Sequence, residues 1–181
     1  MSRLSIPDFE TAQDASKPLL SAVQQQLGVI PNLFRLVGLS PNSLEGFLGL
    51  FGALSKTLDV KTRERIALAV AQVNGCDYCL SAHTYLGLNL AKLDQAEITR
   101  NRSGKSSDAK AAAAVAFARQ VAEKRGKVSF ADLSEVRAAG YADDEIIDIV
   151  SAVALNFLTN LVNNVAETDI DFPVVRTSEA A

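Results

Sequence analysis

Residues 64–83 read ERIALAVAQVNGCDYCLSAH, and the fold is read outward from this stretch. ERIALAVAQV is apolar almost all round, which predicts a helix inside the core over about residues 61–74. Asn74-Gly75 ends it, glycine being the usual left-handed cap. A new helix is expected to begin at or near Cys76 and to run through Gly87. The two then form a tight antiparallel hairpin with Cys76 at its turn.

The flanking sequence is helical in period as well. Leu19, Leu20, Val23 and Leu27 suit one helix, stopped by Gly28 and Pro31. Pro41 opens another, with Leu44, Phe47, Leu48 and Phe51 along one side. A short helix is expected over Leu90 to Thr99, followed by the polar run RNRSGKSSD, in which Arg100 to Lys105 reads as a solvated loop. Ser107 or Asp108 caps an Ala-rich helix from Ala109 to Arg125. Ser129 to Ala139 follows, stopped by Gly140. The last helix, from about Asp143 to Glu167, carries Ile146, Val150, Val153, Phe157, Leu161 and Val165 along one slowly drifting stripe, and the tail after Pro173 reads as frayed. Neither an alternating strand pattern nor a repeat of fixed period is visible. The expected fold is all-α, a single domain over residues 1–181, built as a bundle of about seven or eight helices with the CxxC at the start of a core helix.

Composition narrows the function. The 181 residues are 48% hydrophobic and 22% charged with 5 prolines, an ordinary globular balance. A formal charge of −3 leaves no broad cationic surface to neutralise phosphates, so no nucleic acid partner is expected. The opening MSRLSIPDFE has no apolar run of signal-peptide length, and a cytoplasmic location is expected. Residues 149–166 are uncharged and long enough for a short membrane span. They include Asn156, Asn160, Asn163 and Asn164, which are costly in lipid, so a buried helix or an oligomer interface fits better than a membrane. The 2 cysteines lie three positions apart, too few and too close for a secreted disulfide framework, which leaves redox chemistry or metal binding.

Helical geometry turns residues 64–83 into a candidate site. At about 1.5 Å rise per residue, Glu64 lies roughly 16 Å below the hairpin turn, His83 roughly 10 Å and Cys79 about 4–5 Å. His83 is four residues after Cys79, so both share a helix face and can exchange a proton. Glu64 can orient the imidazole across a gap bridged by side chains or a water. A helix N-terminus and a nearby cation favour thiolate, the form that attacks a peroxide. Attack gives a sulfenic acid, which a neighbouring thiol condenses to a disulfide, and the CxxC supplies that neighbour. Zinc is the rival, since two thiolates, an imidazole and a carboxylate form a legitimate ligand set. The hairpin spreads these groups along a helix face, so no metal and no other cofactor is expected.

Two principles disagree on which cysteine attacks. The helix N-terminus favours Cys76, whereas the i+4 relation to His83 favours Cys79. Cys79 is preferred, because a local base serves both thiol deprotonation and protonation of the leaving oxygen. Cys76, at the turn, is then expected to be the more accessible thiol.

The pattern Glu64, eleven residues, Cys76-x-x-Cys79, three residues, His83 resembles the signature of the alkyl hydroperoxidase D and carboxymuconolactone decarboxylase superfamily. GVIPNLFRLVGLSP before it and NNVAETDIDFP after it look like the branch called peroxidase-related proteins, and the resemblance spans about residues 28–173, with short extensions at each end. It implies an all-helical subunit, a homo-oligomer such as a trimer or hexamer, and antioxidant reduction of hydrogen peroxide or alkyl hydroperoxides. It also implies that Cys79 is peroxidatic and Cys76 resolving, with Glu64 and His83 as proton relay. Electrons come from an external dithiol, a lipoylated protein or a thioredoxin-like carrier. Where alkyl hydroperoxidase D has a histidine before its second cysteine, this chain has Tyr78. The decarboxylase branch generally lacks the cysteine pair. The alternatives are a non-catalytic redox-sensing or structural oligomer subunit and a zinc-binding protein.

Overall fold

The structure is a computed structural model that describes residues 2–178. Among them are nine α-helices and no strand: α1 (Lys17–Leu27), α2 (Asn32–Val37), α3 (Pro41–Leu54), α4 (Val60–Val73), α5 (Asp77–Asn89), α6 (Gln95–Arg102), α7 (Ala109–Lys124), α8 (Phe130–Ala138) and α9 (Asp143–Ala166).

α4 is the hub because its middle, Ile66 to Ala71, has no polar face. Asp59 caps it, accepting from the Thr62 N–H at 3.1 Å, and Ile66 to Ala71 are then buried without interruption. α5, α6, α7 and α9 all pack on it. Leu68 is fully buried, and Leu68→Ala should cost about 2–5 kcal/mol, the range for removing a large aliphatic side chain from a tight core.

Gly75, at φ +62°, supplies the left-handed turn between α4 and α5. That turn is fastened to α9: the Asn74 amide donates to Asn160 Oδ1 at 2.8 Å, and Asn164 Nδ2 donates to the Asn74 carbonyl at 2.9 Å. At the other end of α5, a Cβ on Gly87 would meet Ile98 Cδ1 at 2.7 Å, so glycine is what lets α6 approach.

Several elements differ from the sequence reading. α2 was not foreseen; it is too short to show a period, and Asp171 and Asp169, far along the chain, anchor its first residue through the Asn32 N–H (2.7 Å) and amide (2.8 Å). The short helix expected over residues 90–99 is displaced to α6, because Asp94 is its cap, accepting from the Glu97 N–H at 2.7 Å. Arg100 to Lys105 is not a solvated loop: α6 continues to Arg102, Asn101 is buried, and Arg102 is buried with bonds to Gln72 of α4 and the Arg176 carbonyl. The drifting stripe of α9 splits. Ile146 and Val153 enter the core, whereas Val150, Leu161 and Val165 are exposed.

The tail after Pro173 is docked as far as Thr177 rather than frayed; residues 179–181 lie outside the described region. The Val175 N–H donates to Ser81 Oγ at 2.9 Å, and both the N–H and the hydroxyl of Thr177 donate to Asp77 Oδ1 at 2.8 Å. Arg176 pairs with Asp77 Oδ2 at 3.0 Å, and Arg102 donates to the Arg176 carbonyl at 3.1 Å. The tail thus forms a strap across the start of α5.

Candidate active site

The α5 N-terminus sets the cysteine geometry. Cys76 is the N-cap, in extended conformation, and its Sγ accepts from the Cys79 N–H at 3.2 Å. Both thiols are free and buried. Cys76 has 0% exposure and Cys79 3%, which corrects the expectation that Cys76 is the accessible thiol. Sequence position put it at a turn, but the turn is held against α9, and the aliphatic cluster of Leu68, Ala71 and Leu80, with Val175 of the strap packed on it, encloses the sulfur.

Glu64 and His83 meet directly. Glu64 Oε2 lies 2.8 Å from His83 Nδ1, so no water is needed across the gap left by the helix rise. A proton on Nδ1 is held by the carboxylate, which leaves Nε2 for proton traffic. Burial pulls the imidazole pKa down, but the charge and hydrogen bond of Glu64, aided by Cys79, raise it above its ordinary value.

The two thiols are driven apart in acidity. Burial pushes Cys79 up, yet hydrogen bonds from Cys76 and Asn163, the charge of His83 and the Asn160 amide outweigh it and bring the thiol down to about 7. Cys76 moves the other way: its hydrogen bond to Cys79, then burial and the Cys79 charge, raise it. The thiolate is therefore favoured at Cys79, with Cys76 the weaker acid beside it. The peptide N–H that donates to the Cys76 sulfur at the α5 N-terminus favours its thiolate, but the hydrogen bond to Cys79, burial and the Cys79 charge outweigh it.

Two residues of α9 belong to this site that the sequence reading had placed only in a buried helix or an oligomer interface. Asn163 Nδ2 donates to Cys79 Sγ at 3.3 Å, and Asn160, one turn earlier, is fully buried beside the same thiol. The available signal was the recurrence of amides on an apolar helix, which demands buried partners without naming them. Tyr78 stands apart from the thiol chemistry. Its hydroxyl accepts from the Leu33 N–H at 3.1 Å and its ring meets Phe172 edge-on at 5.8 Å, so it braces α5 against α2 and the C-terminal segment. A groove of about 480 Å³, lined by Gly75, Asp77, Tyr78, Asn163, Glu167 and Arg176, leads towards this region. A cavity of about 490 Å³ around Asp59, Arg65, Lys110 and Tyr141 touches none of the four residues singled out from the sequence. Among the described residues, no three His, Cys, Asp or Glu side chains are grouped to hold a metal ion.

Residues 41–124, which contain the hairpin and all four of those residues, match the carboxymuconolactone decarboxylase family. The chain superposes on the alkylhydroperoxidase AhpD core of a peroxidase-related protein from Ralstonia eutropha JMP134 with a TM-score of 0.83, covering 94% of this chain and 92% of that one at 24% identity. The family match spans somewhat less than half of the chain, while the shared fold spans nearly all of it. A second solved structure, a peroxidase-related protein from Silicibacter sp. TM1040, superposes with a TM-score of 0.80 over 93% of this chain and 91% of that one, also at 24% identity. The debrominase Bmp8 shares the fold at a TM-score of 0.75 and 20% identity, over 94% of this chain and 91% of its own. In sequence, an uncharacterized protein of Haemophilus influenzae is 49% identical over 45 residues, 24% of this chain and 40% of that relative's length. At these identities the structural likenesses establish the fold.

Proposed function

We propose that this protein is an enzyme, a thiol-dependent peroxidase that reduces hydrogen peroxide or alkyl hydroperoxides, with Cys79 attacking, Cys76 resolving, and Glu64 and His83 moving the proton. The observation that carries this reading is the asymmetry of the cysteine pair: a thiol lowered to about 7 at Cys79, a partner thiol three residues away, and a carboxylate-held imidazole on the same helix. A thiolate alone suits many reactions. A thiolate with an adjacent protonated thiol suits one that makes a sulfenic acid and condenses it at once.

The enzyme needs no bound metal in this reading. An external dithiol, lipoylated or thioredoxin-like, returns the disulfide to two thiols, in a cytoplasmic setting where thiols are kept reduced. We also assign a homo-oligomer, trimer or hexamer, to the protein. Its support is the exposed apolar row Ile147, Val150, Leu158, Leu161 and Val165 on α9, at helical spacing.

The test is hydroperoxide consumption with dihydrolipoamide and with a thioredoxin system as donors, run beside Cys76→Ser and Cys79→Ser. Sustained turnover lost in both variants supports a peroxidase. A single round of oxidation without turnover supports a redox-sensing subunit instead. Because a structural neighbour is a cysteine-to-alanine variant of Bmp8 in complex with 2,3,4-tribromopyrrole, that compound is the assay's third substrate; turnover of it in place of peroxides would redirect the reading.

A further inference from the structure

Outside the four residues already assigned, the least explained groups near the thiols are the amides of α9. Asn160 Oδ1 is occupied by Asn74 Nδ2 at 2.8 Å, which fixes the orientation of the amide. Its Nδ2 is buried without a hydrogen-bond partner, although it lies beside Cys79 and favours that thiolate. Asn163 Nδ2 already donates to Cys79 Sγ at 3.3 Å. A buried N–H without an acceptor is destabilising, and here it is retained next to the one sulfur that is to gain an oxygen.

We propose that Asn160 and Asn163 are catalytic hydrogen-bond donors to Cys79, Asn163 holding the thiolate and Asn160 Nδ2 receiving the oxygen transferred to it. This deepens the peroxidase reading and rests on it. The Cys79 thiolate attacks the hydrogen-bearing oxygen of the hydroperoxide. An S–O bond forms, the O–O bond breaks, and the electron pair leaves on the distal oxygen, which takes the His83 proton and departs as alcohol or water. Sulfur is oxidised by two electrons and the peroxide is reduced by two. Asn160 donates to the new S–OH oxygen from a position Asn74 has already fixed, so little reorganisation is required. The Cys76 thiol then attacks the Cys79 sulfur; the S–S bond forms, the S–O bond breaks, and the oxygen leaves as water carrying the Cys76 proton.

The experiment uses the full chain with Cys76→Ser, leaving one thiol, and measures two reactions of Cys79 across pH: alkylation by iodoacetamide and oxidation by hydrogen peroxide. Asn163→Leu is expected to raise the alkylation midpoint by about one pH unit or more. Asn160→Leu is expected to lower the peroxide rate constant of the ionised thiol by roughly tenfold to hundredfold. Its alkylation constant should change little, because alkylation places no oxygen on the sulfur. Equal slowing with both reagents, or no change with either, overturns the assignment. Asn160→Asp keeps the acceptor for Asn74 and removes the donor, so it gives the same comparison if the leucine variant does not fold. Should the background protein itself oxidise no faster than a free thiolate, the peroxidase reading falls. Should it oxidise rapidly with a ratio of constants that Asn160→Leu leaves unchanged, that reading stands and the asparagine assignment falls.

Discussion

His83 Nδ1 and Glu64 Oε2 meet at 2.8 Å across the α4–α5 hairpin, although the two residues lie at different distances from its turn. Glu64 therefore acts on the thiol only through the imidazole. Cys79 oxidation should rise with pH through about 7 as its thiolate forms, then fall where His83 loses the proton needed by the leaving oxygen, above the ordinary imidazole value. Glu64→Gln should move the falling limb to lower pH and slow oxidation about tenfold, and His83→Ala should slow it about a hundredfold or more. Stopped-flow oxidation from pH 5 to 9 measures both. Disulfide should still form eventually in either variant.

The buried pair Arg65–Glu97, at 2.9 Å, gives the fold an acid limit. Glu97 also accepts from Asn101 at 3.0 Å and from the Ser107 N–H at 2.9 Å and hydroxyl at 2.7 Å. Burial pushes its carboxyl up, but these bonds and that of Ser106 bring it to about 2 from an unfolded value of 4.5. Its stabilisation is thus complete above pH 4.5 and lost as pH falls towards about 2. Thermal melts should show that loss in the unmodified chain. Glu97→Ala should cost about 3–5 kcal/mol at neutral pH, because Arg65 is left charged and buried.

Asp77 holds the C-terminal strap over the cysteine pair through Thr177 and Arg176. Asp77→Ala should free residues 174–178 and speed alkylation of Cys76 by about tenfold, since local opening controls access to a buried thiol. Mass spectrometry of maleimide-labelled Cys79→Ser protein reads this directly. An unchanged Cys76 labelling rate would mean that access runs through another opening.

How much of this was readable beforehand depended on where each residue's partners lie. The hairpin was legible because α4 and α5 carry their own signals: the all-round apolar run from Ile66 to Ala71, then Asn74-Gly75. The site was legible because Cys79 and His83 share one helix and Glu64 lies on its hairpin partner. Arg102 was misread because an arginine in a polar run looks solvated, whereas it reaches Gln72 Oε1 at 2.9 Å and the Arg176 carbonyl across the fold. The burial of Cys76 was not legible either, since α9 and the strap that enclose it are distant in sequence. The amides of α9 announced that they needed partners, but only the fold shows that for Asn163 the partner is a thiol.

The apolar row on α9 should mediate assembly. Light scattering at micromolar concentration should report an oligomer, and Leu161→Glu, at a side chain 59% exposed in the single chain, should dissociate it without unfolding the subunit. A monomer in the unmodified protein removes the oligomer assignment.

Zinc content separates thiol from metal chemistry. Purified protein should hold clearly less than one zinc per chain, and chelators should leave its melting temperature unchanged.

The most direct test of the central claim is sulfenic-acid trapping after one equivalent of peroxide, with the labelled cysteine located by mass spectrometry. Cys76→Ser should label at Cys79, and Cys79→Ser should label poorly and lose turnover. Labelling retained only at Cys76 would contradict the account: the helix N-terminus would then outweigh the Glu64–His83 relay and the α9 amides, and the two cysteine roles would be reversed.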